Sequence, residues 1–541
     1  MTTEGSLQTS TGTDPEPSTF SVEQGYAFAR RLRARPEDLA SAALPIDWAT
    51  APPPFTLYEG TSPELMLPGG RPSWVPAANQ AGTEWDLAAL GETLFLTLGC
   101  TRVRWQPQGA HRLRGAVLPT REFALRPRRA LASGGALYPA EIYLYVRSLN
   151  GIASGLYHYD AARHAVKELP GQRCDELLVR VLGLDPTRLP RVAAVVANSF
   201  LKNFYKYRDF SYRLGAVDVG IAVGRLQRLA ETGLGDARVK FDFDDESLNR
   251  IFGLDTPTES AYAALLLGGG FAASVSRGGV PTGTAVRRTP QPRPRSADFD
   301  AMHASAVAVL GINGRTGGES PGPRPVVAGA EGGTALPSLP PPTRQELRHA
   351  IARRTCNGPL FSGAPVPVGV LADSLSEAGR ALGRVRVASL DLGLPSPRLL
   401  CIAQRVLGLA PGAYAYDGGN HALRVLREGD LGRDMQAALY SDNLNVDLGA
   451  FAIHVIDELD FRPNVRGTRT YRVQQMLVGV ACDAVMLSAS RWGLGSQPLL
   501  GFDAARIDML YGLEGSAIGV LAHVSVGHAR RGRYLEASVA G

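Results

Sequence analysis

The sequence predicts a duplicated protein whose two related halves each combine strand hairpins with one long helix. The halves are expected to pack on one another as a pseudo-twofold pair. Three observations carry this. The stretch GLYHYDAARHAVKEL (155–169) aligns with GAYAYDGGNHALRVL (412–426), with seven identities in fifteen positions at an offset of 257 residues. Later landmarks recur at 259: Tyr212-Arg213 with Tyr471-Arg472, FGLD (252–255) with YGLE (511–514), and Gly268 with Gly527. The long segment YRVQQMLVGVACDAVMLSASRWGLG (471–495) is apolar nearly all round, and such a helix must be buried on every face. Several matches at nearly one offset mark an internal duplication, and two such helices in duplicated halves suggest a fused version of a symmetric dimer.

Each element has a local reason. In the repeated hairpin, alternating aromatic residues lead into a polar turn and a second short strand. His164 and His421 stand at equivalent turns in the two copies, which favours a role in the fold. Tyr157, Tyr159, Tyr414 and Tyr416 read as sheet packing. The segment YRLGAVDVGIAVGRLQRLAETGLG (212–235) has apolar residues at helical spacing and ends on a glycine stop. From Arg277 to Thr343 the composition shifts to Gly, Pro, Ala and Arg. Such a stretch buries too little apolar surface to fold alone and reads as a linker, with the apolar patch AVAVLGI (306–312) able to dock on a domain. The domains expected are an N-terminal extension (1–44), a first domain (45–276), the linker (277–343) and a second domain (344–541). Residues 20–43 read as a basic amphipathic helix, expected on the surface.

Size and composition narrow the function. A chain of 541 residues exceeds the ~250–300 at which single cores stop growing. No run reaches the ~18–20 uninterrupted apolar residues of a membrane span, and the polar start MTTEGSLQTSTGTDPEPST lacks the features of a signal peptide. The five cysteines are scattered, with no CxxC pair; this argues against a disulfide framework or a zinc site and fits a reducing cytoplasm. The net charge of +6 lies largely in loop-like arginines such as RRTPQPRPR (287–295). Without a basic stripe interleaved with aromatics, it points to solubility and weak attraction for acidic partners, not to nucleic acid.

One further segment stands out. RPRRALASGGALYPAEIYLYV (126–146) runs a glycine-bearing turn straight into a strand pattern, so that a backbone held rigidly can approach something closely. Together ASGGALYPAEIYLYV, GLYHYD…H, YKYRDFSYRLG and the long helix ending in GLG resemble the SagB/McbC azoline-oxidase branch of the FMN-dependent nitroreductase family. The second half resembles a more divergent copy through AIARRTCNGPLF (350–361), GTRTYRVQQ and GLGSQPLLGFD. The resemblance covers most of 45–275 and 345–530. It implies an α+β fold of two fused nitroreductase-like domains, each a central, mainly antiparallel sheet flanked by helices, forming a pseudo-twofold internal dimer with FMN in the interface.

In that family an Arg-Arg-Ser segment of one subunit holds the phosphate, and a glycine turn of the other lies beside the isoalloxazine. Here the turn is Ser133-Gly134-Gly135, preceded by Arg129, and the phosphate grip is Arg353-Arg354-Thr355. The loop after the second long helix adds Gly495, Ser496 and Gln497. The second-half counterpart of the turn is read as LPSPRLLCIAQRV (394–406), with Pro397 and Arg398 replacing both glycines, so that one FMN per chain is expected. The family's Lys-Tyr pair corresponds to Lys206-Tyr207 as catalytic residues. A lysine acts as a base only when burial or a cationic neighbour lowers its pKa. The resemblance further implies a precursor peptide with a leader and a cyclodehydratase as partners. Further dimerisation of the fused pair stays open. Three alternatives stay open beside azoline oxidation: an NAD(P)H-dependent nitroreductase or quinone reductase, a dehydrogenase of ordinary peptide Cα–Cβ bonds, and an inactive peptide-binding scaffold.

Overall fold

The duplication is explicit in the computed structural model, which describes residues 21–34, 51–58, 64–68, 85–107, 111–113, 116–118, 123–171, 173–235, 237–269, 296–308, 333–354, 360–440, 443–461, 467–530 and 535–538. The first half contributes β1 (Glu64–Met66), β2 (Cys100–Pro107), β3 (Phe123–Arg129), β4 (Ala140–Val146), β5 (Gly155–Asp160), β6 (Ala165–Glu168), β7 (Val192–Ser199), β8 (Ala237–Lys240) and β9 (Glu259–Leu267). The second contributes β10 (Thr334–Ala335), β11 (Arg398–Ala403), β12 (Gly412–Asp417), β13 (Ala422–Glu428), β14 (Phe451–Glu458), β15 (Gly495–Leu499), β16 (Ile518–Gly527) and β17 (Leu535–Ser538).

Two seven-stranded sheets result, ordered β1-β6-β5-β4-β7-β9-β8 and β10-β13-β12-β11-β14-β16-β15. The orders correspond strand for strand, and every neighbouring pair in both is antiparallel. This is the α+β architecture expected. The two turn histidines do the same work in each copy. His164 and His421 have φ of 54° and 48°, and their Nδ1 atoms lie 2.9 Å from the hydroxyls of Tyr159 and Tyr416. Their Nε2 atoms meet the carbonyls of Pro68 and Pro337. Each histidine thus pins its hairpin turn to the edge-strand segment beside it.

The helices that bear on the site are α1 (Val22–Ala34), α2 (Leu87–Leu98), α3 (Leu201–Tyr207), α4 (Phe210–Leu234), α5 (Ala297–Ala308), α6 (Arg344–Arg353), α7 (Val368–Leu390) and α8 (Arg469–Arg491). The central contact is α4 against α8. A Cβ on Gly220 would collide with the carbonyl oxygen of Met476, and one on Gly479 with that of Val217. These two glycines are 259 residues apart, so the helices cross at a reciprocal, backbone-to-backbone point. Tyr212 and Tyr471, another pair at that spacing, stack with ring centroids 6.3 Å apart and an interplanar angle of 11°. Helix α8 is long and apolar enough to cross a membrane by composition, but it is wholly buried inside the protein.

Two expectations are corrected. The N-terminal helix spans only Val22–Ala34 among the described residues, and it is docked into the structure: Phe28 and Leu32 are fully buried, Arg33 pairs with Asp508 and Tyr26 packs on Phe461. Its apolar stripe had too few sequence neighbours to reveal this partner in the second half. Within the span read as linker, α5 is equally docked. Phe299 and Met302 are buried, and the Met302 carbonyl accepts from Thr468 Oγ1 at 2.5 Å. The end of the span is ordered too: β10 pairs with β13 at the edge of the second sheet, and Thr343 caps α6; residues 277–295 and 309–332 lie outside the described residues. The chain's end also returns to the first half, where β17 pairs with β2 in a sheet ordered β17-β2-β3.

Because the crossing leaves no room for a methyl group, Gly479→Ala should cost about 3 kcal/mol, the upper part of the range for overpacking. Gly383→Ala lies in α7 with nothing within 4 Å of its would-be Cβ, and should gain up to about 1 kcal/mol from helix propensity. Denaturant unfolding of the two variants measures the contrast.

Candidate functional site

The site begins where β3 ends. After Arg129 the chain makes the Ser133–Tyr138 turn before entering β4, and three of its residues have left-handed backbones: Gly135 (φ 61°), Ala136 (57°) and Tyr138 (52°). Two of these carry side chains and are strained there, so the surroundings must hold them. Ser133 Oγ donates to Asp218 Oδ2 at 2.6 Å and accepts from the Tyr138 amide at 2.8 Å. The Gly134 amide donates to both Asp218 oxygens at 3.2 Å.

The glycines make room for protein groups. A Cβ on Gly134 would meet Leu214, and one on Gly135 would lie 2.6 Å from Tyr207 Oη and 3.1 Å from Lys206 Nζ. The structure therefore brings Lys206 and Tyr207 against the turn from the end of α3. Arg208, next in the chain, has φ 45° and makes the kink between α3 and α4 that aims the pair. Lys206 Nζ stands 5.0 Å from the Tyr207 ring centroid and makes no ion pair among the described residues. Burial pushes its amine below the ordinary lysine range. Burial, then the charge of Asp218, pushes the Tyr207 phenol up.

Lys202, one turn earlier on α3, shows what a structural lysine looks like here. It is buried against Glu141 and reaches the Tyr138 carbonyl at 3.4 Å. Glu141 also accepts from Thr56 Oγ1 at 2.7 Å and faces His158 Nε2 at 3.1 Å. Burial raises the Glu141 pKa, but Lys202, His158 and Arg129 outweigh it and hold the carboxyl well below its usual range. This cluster braces the turn from behind.

The other expected cofactor residues are distributed as follows. Arg129 is 2% exposed. Its Nη2 donates to the Pro54 carbonyl at 2.7 Å, while Nε and Nη1, and Nε of Arg128, are buried with no partner among the described residues. Arg354 comes from the second half, and its Nε donates to the Ala130 carbonyl at 3.0 Å, three residues before Ser133. Arg353 is exposed, and among the described residues it bonds its own helix, through the His349 carbonyl at 3.4 Å. Thr355 lies outside the described residues. Ser490 Oγ donates to the Ala350 carbonyl at 2.6 Å, which fixes the end of α6 against the end of α8. Gly495, Ser496 and Gln497 follow as the start of β15, paired with Gly527, Val526 and Ser525.

Sequence reasoning missed Asp218 and Arg225. Asp218 is the one acid among the apolar residues AVDVGIAV, which was a readable signal. Burial pushes its carboxyl up to about 7, against the hydrogen bonds from Ser133 and Gly134. Arg225 donates to the Ala130 carbonyl at 3.3 Å and grips Asp483 of the second half with two hydrogen bonds, 2.6 and 3.0 Å.

The counterpart read for the glycine turn is also corrected. Val146 and Ala403 are the equivalent strand ends, since each is paired with the equivalent residue of the next strand, Gly155 and Gly412. Arg398 is therefore the first residue of β11 and matches Glu141, the second residue of β4; counted back at the same offset, the position of Ser133 falls on Leu390, at the end of α7. The shared serine and leucines of LASGGAL and LPSPRLL drew the sequences into a false register.

Chemically, the arrangement offers buried guanidinium N–H groups of Arg129 and Arg128 without a partner among the described residues, an arginine from the opposite half and an amine with a lowered pKa around one rigid turn. The donor set fits an anionic group.

No family model matches the sequence. Over 120 residues the chain is 27% identical to a protein of Methanocaldococcus jannaschii described as a nitroreductase, covering 22% of this chain and 61% of that one. Over 99 residues it is 33% identical to the microcin B17-processing protein McbC of Escherichia coli, covering 17% of this chain and 36% of McbC. The matches thus span less than two thirds of either curated relative. A solved structure described as a nitroreductase from Anabaena variabilis superposes with a TM-score of 0.71 at 21% identity, over 94% of this chain and 99% of that one. The chain has the nitroreductase fold in doubled form, and its likeness to McbC supports the McbC/SagB-type branch of nitroreductase-like proteins.

Proposed function

We propose that the chain is an FMN-dependent dehydrogenase that oxidises thiazoline or oxazoline rings in a ribosomally made peptide to the aromatic azoles. The observation that carries this reading is the meeting of Lys206 Nζ and Tyr207 Oη at Gly135. The likeness to a microcin-processing protein supports the peptide substrate. A leader-bearing precursor and a cyclodehydratase are the partners this reading requires.

A bound flavin supplies the acceptor for a hydride. The chain must supply the rest. Oxidation of an azoline also releases a proton from carbon, which needs a positioned base. Lys206 suits the task because burial lowers its pKa and no carboxylate neutralises it among the described residues. Tyr207 stays protonated, since its phenol is shifted up, and so orients or relays at Oη. In this reading Arg354, which reaches the turn's approach at Ala130, would hold the phosphate through charge-assisted hydrogen bonds, and Arg129 and Arg128 would offer further N–H groups. Arg353, Thr355, Gly495, Ser496 and Gln497 complete the proposed cofactor contacts.

The opposite pseudo-site lacks both parts. Helix α2, which precedes the first half's turn, ends in Leu98-Gly99 with no arginine pair, and Leu390 stands where Ser133 would be. One FMN per chain is therefore expected by absorbance and protein quantitation, and two would contradict the reading.

Lys206→Ala should remain yellow and lose azoline oxidation by a factor of about 10²–10⁴, the usual worth of a general base. Peptide mass spectrometry follows the 2 Da loss. In the parent the rate should rise with pH as Lys206 sheds its proton, and level off below the ~10.4 of an ordinary lysine. Arg354→Ala should instead weaken FMN retention, read by fluorescence titration. Steady NADPH oxidation with small nitroaromatics and none with azoline peptides would favour a general nitroreductase.

A further inference from the structure

Asp218 is a fully buried carboxylate with no cationic partner among the described residues. Its acceptor capacity is directed at the turn: the Ser133 hydroxyl at 2.6 Å and the Gly134 amide at 3.2 Å from each oxygen. The Ser133 hydroxyl is in turn fixed from the other side by the Tyr138 amide. A carboxylate so placed reads the turn's conformation directly. Neither member survives in the second half, where the position of Asp218 is Leu477, 259 residues on, and that of Ser133 is Leu390. The polar pair therefore tracks the glycine turn and not the shared fold.

We propose that Asp218 is a positioning residue of the flavin site, whose carboxylate latches the Ser133–Gly134 turn onto helix α4 and so fixes the turn for the ring. The inference rests on the flavin reading above. Ionised, Asp218 accepts from both donors. Protonated, it keeps one acceptor oxygen but turns the other into a donor, so it no longer holds Ser133 and Gly134 with both oxygens as a charged acceptor. The titratable group beside it comes from α3: Tyr207, which stays protonated; Lys206, next to it in the chain, does not pair with Asp218 among the described residues. From the turn only the neutral Ser133 and Gly134 face it, and on α4 the charged Arg213 and Arg225 are engaged elsewhere.

The latch has a cost that makes it testable. Burial raises the folded-state pKa to about 7, above the ~3.9 of an unfolded aspartate. The ionised group thus subtracts stability, increasingly as pH rises from the unfolded to the folded pKa. Asp218→Asn removes that charge. At pH 8 the variant should melt at or above the temperature of the parent, yet bind FMN at least about tenfold more weakly. A side chain needed only for the fold would lower both. The parent's FMN dissociation constant should also rise several-fold between pH 8 and pH 6, beyond any change seen in Asp218→Asn, which cancels the titration of the FMN phosphate itself. Ser133→Ala should weaken FMN to a similar degree, and the double variant no further.

Hydrogen exchange on flavin-free protein gives an independent readout. Peptides covering residues 130–138 should exchange faster in Asp218→Asn than in the parent at pH 8. Equal exchange, or an unchanged FMN dissociation constant in Asp218→Asn, would overturn the latch. If neither protein binds FMN, the flavin reading fails, and faster exchange at 130–138 still upholds the latch.

Discussion

The tightest backbone approach among the described residues is the crossing of α4 and α8 at Gly220 and Gly479. Two backbones meet there with no side chain between them, so neither helix can rotate or slide without collision. Everything in the candidate site hangs from that point. Asp218 lies two residues before Gly220, and Arg225 five residues after it, on the same rigid helix. Asp218 holds the turn, while Arg225 holds the carbonyl of Ala130 just ahead of it. The position of the turn is thus referred to the axis between the halves, not only to the sheet that carries it.

Charge reinforces this geometry at a price. Arg225 and Asp483 are both buried, as are Arg469, Arg472 and Asp245. Desolvating such groups costs several kcal/mol per ion before their attraction is counted. Apolar contacts of equal volume would hold the helices together as well. What an ion pair adds is orientation: two hydrogen bonds from a planar guanidinium admit one alignment of α4 and α8. Tyr212 and Tyr471 stack by symmetry, but Arg213 and Arg472 do not match. Arg213 satisfies backbone carbonyls of Leu32 and Leu521, whereas Arg472 faces Asp245 and lies 4.5 Å from the Tyr262 ring centroid. The helix backbones keep the pseudo-twofold relation while the buried charges depart from it.

The fold was largely legible because its signal is local and repeated. The hairpin identities and the 259-residue spacing are properties of the chain itself, and the strand orders follow the same duplication. Lys206-Tyr207 was legible as a motif, but its contact with Gly135 was not, since it depends on the kink at Arg208. The sequence places Gly135 beside a ring; the structure adds that the space of its missing Cβ borders Tyr207 Oη and Lys206 Nζ. Asp218 was visible as a lone acid in an apolar helix and passed over, because its partner Ser133 is 85 residues away. The false register at Leu394 arose for a different reason. Short strings of leucine and serine match by chance, and only strand pairing locates β11. Docking of α1 and α5 was illegible because both bind surfaces made by remote parts of the chain.

Fusion explains why such asymmetry can persist. In an isologous dimer every substitution appears twice, so a turn lost from one site is lost from both. Joining the halves in one chain removes that coupling. The first half can keep the glycine turn, Asp218 and Lys206, while the second supplies Arg354 and replaces the turn with the end of α7. A serine matched by a leucine, and an aspartate matched by a leucine, are the marks of that release. At the second pseudo-site a buried carboxylate would cost stability without a turn to hold. Its replacement by Leu477, fully buried in the core, removes the cost. The first site retains the expensive group, and a costly group kept on one half alone is better explained by what it positions than by what it stabilises.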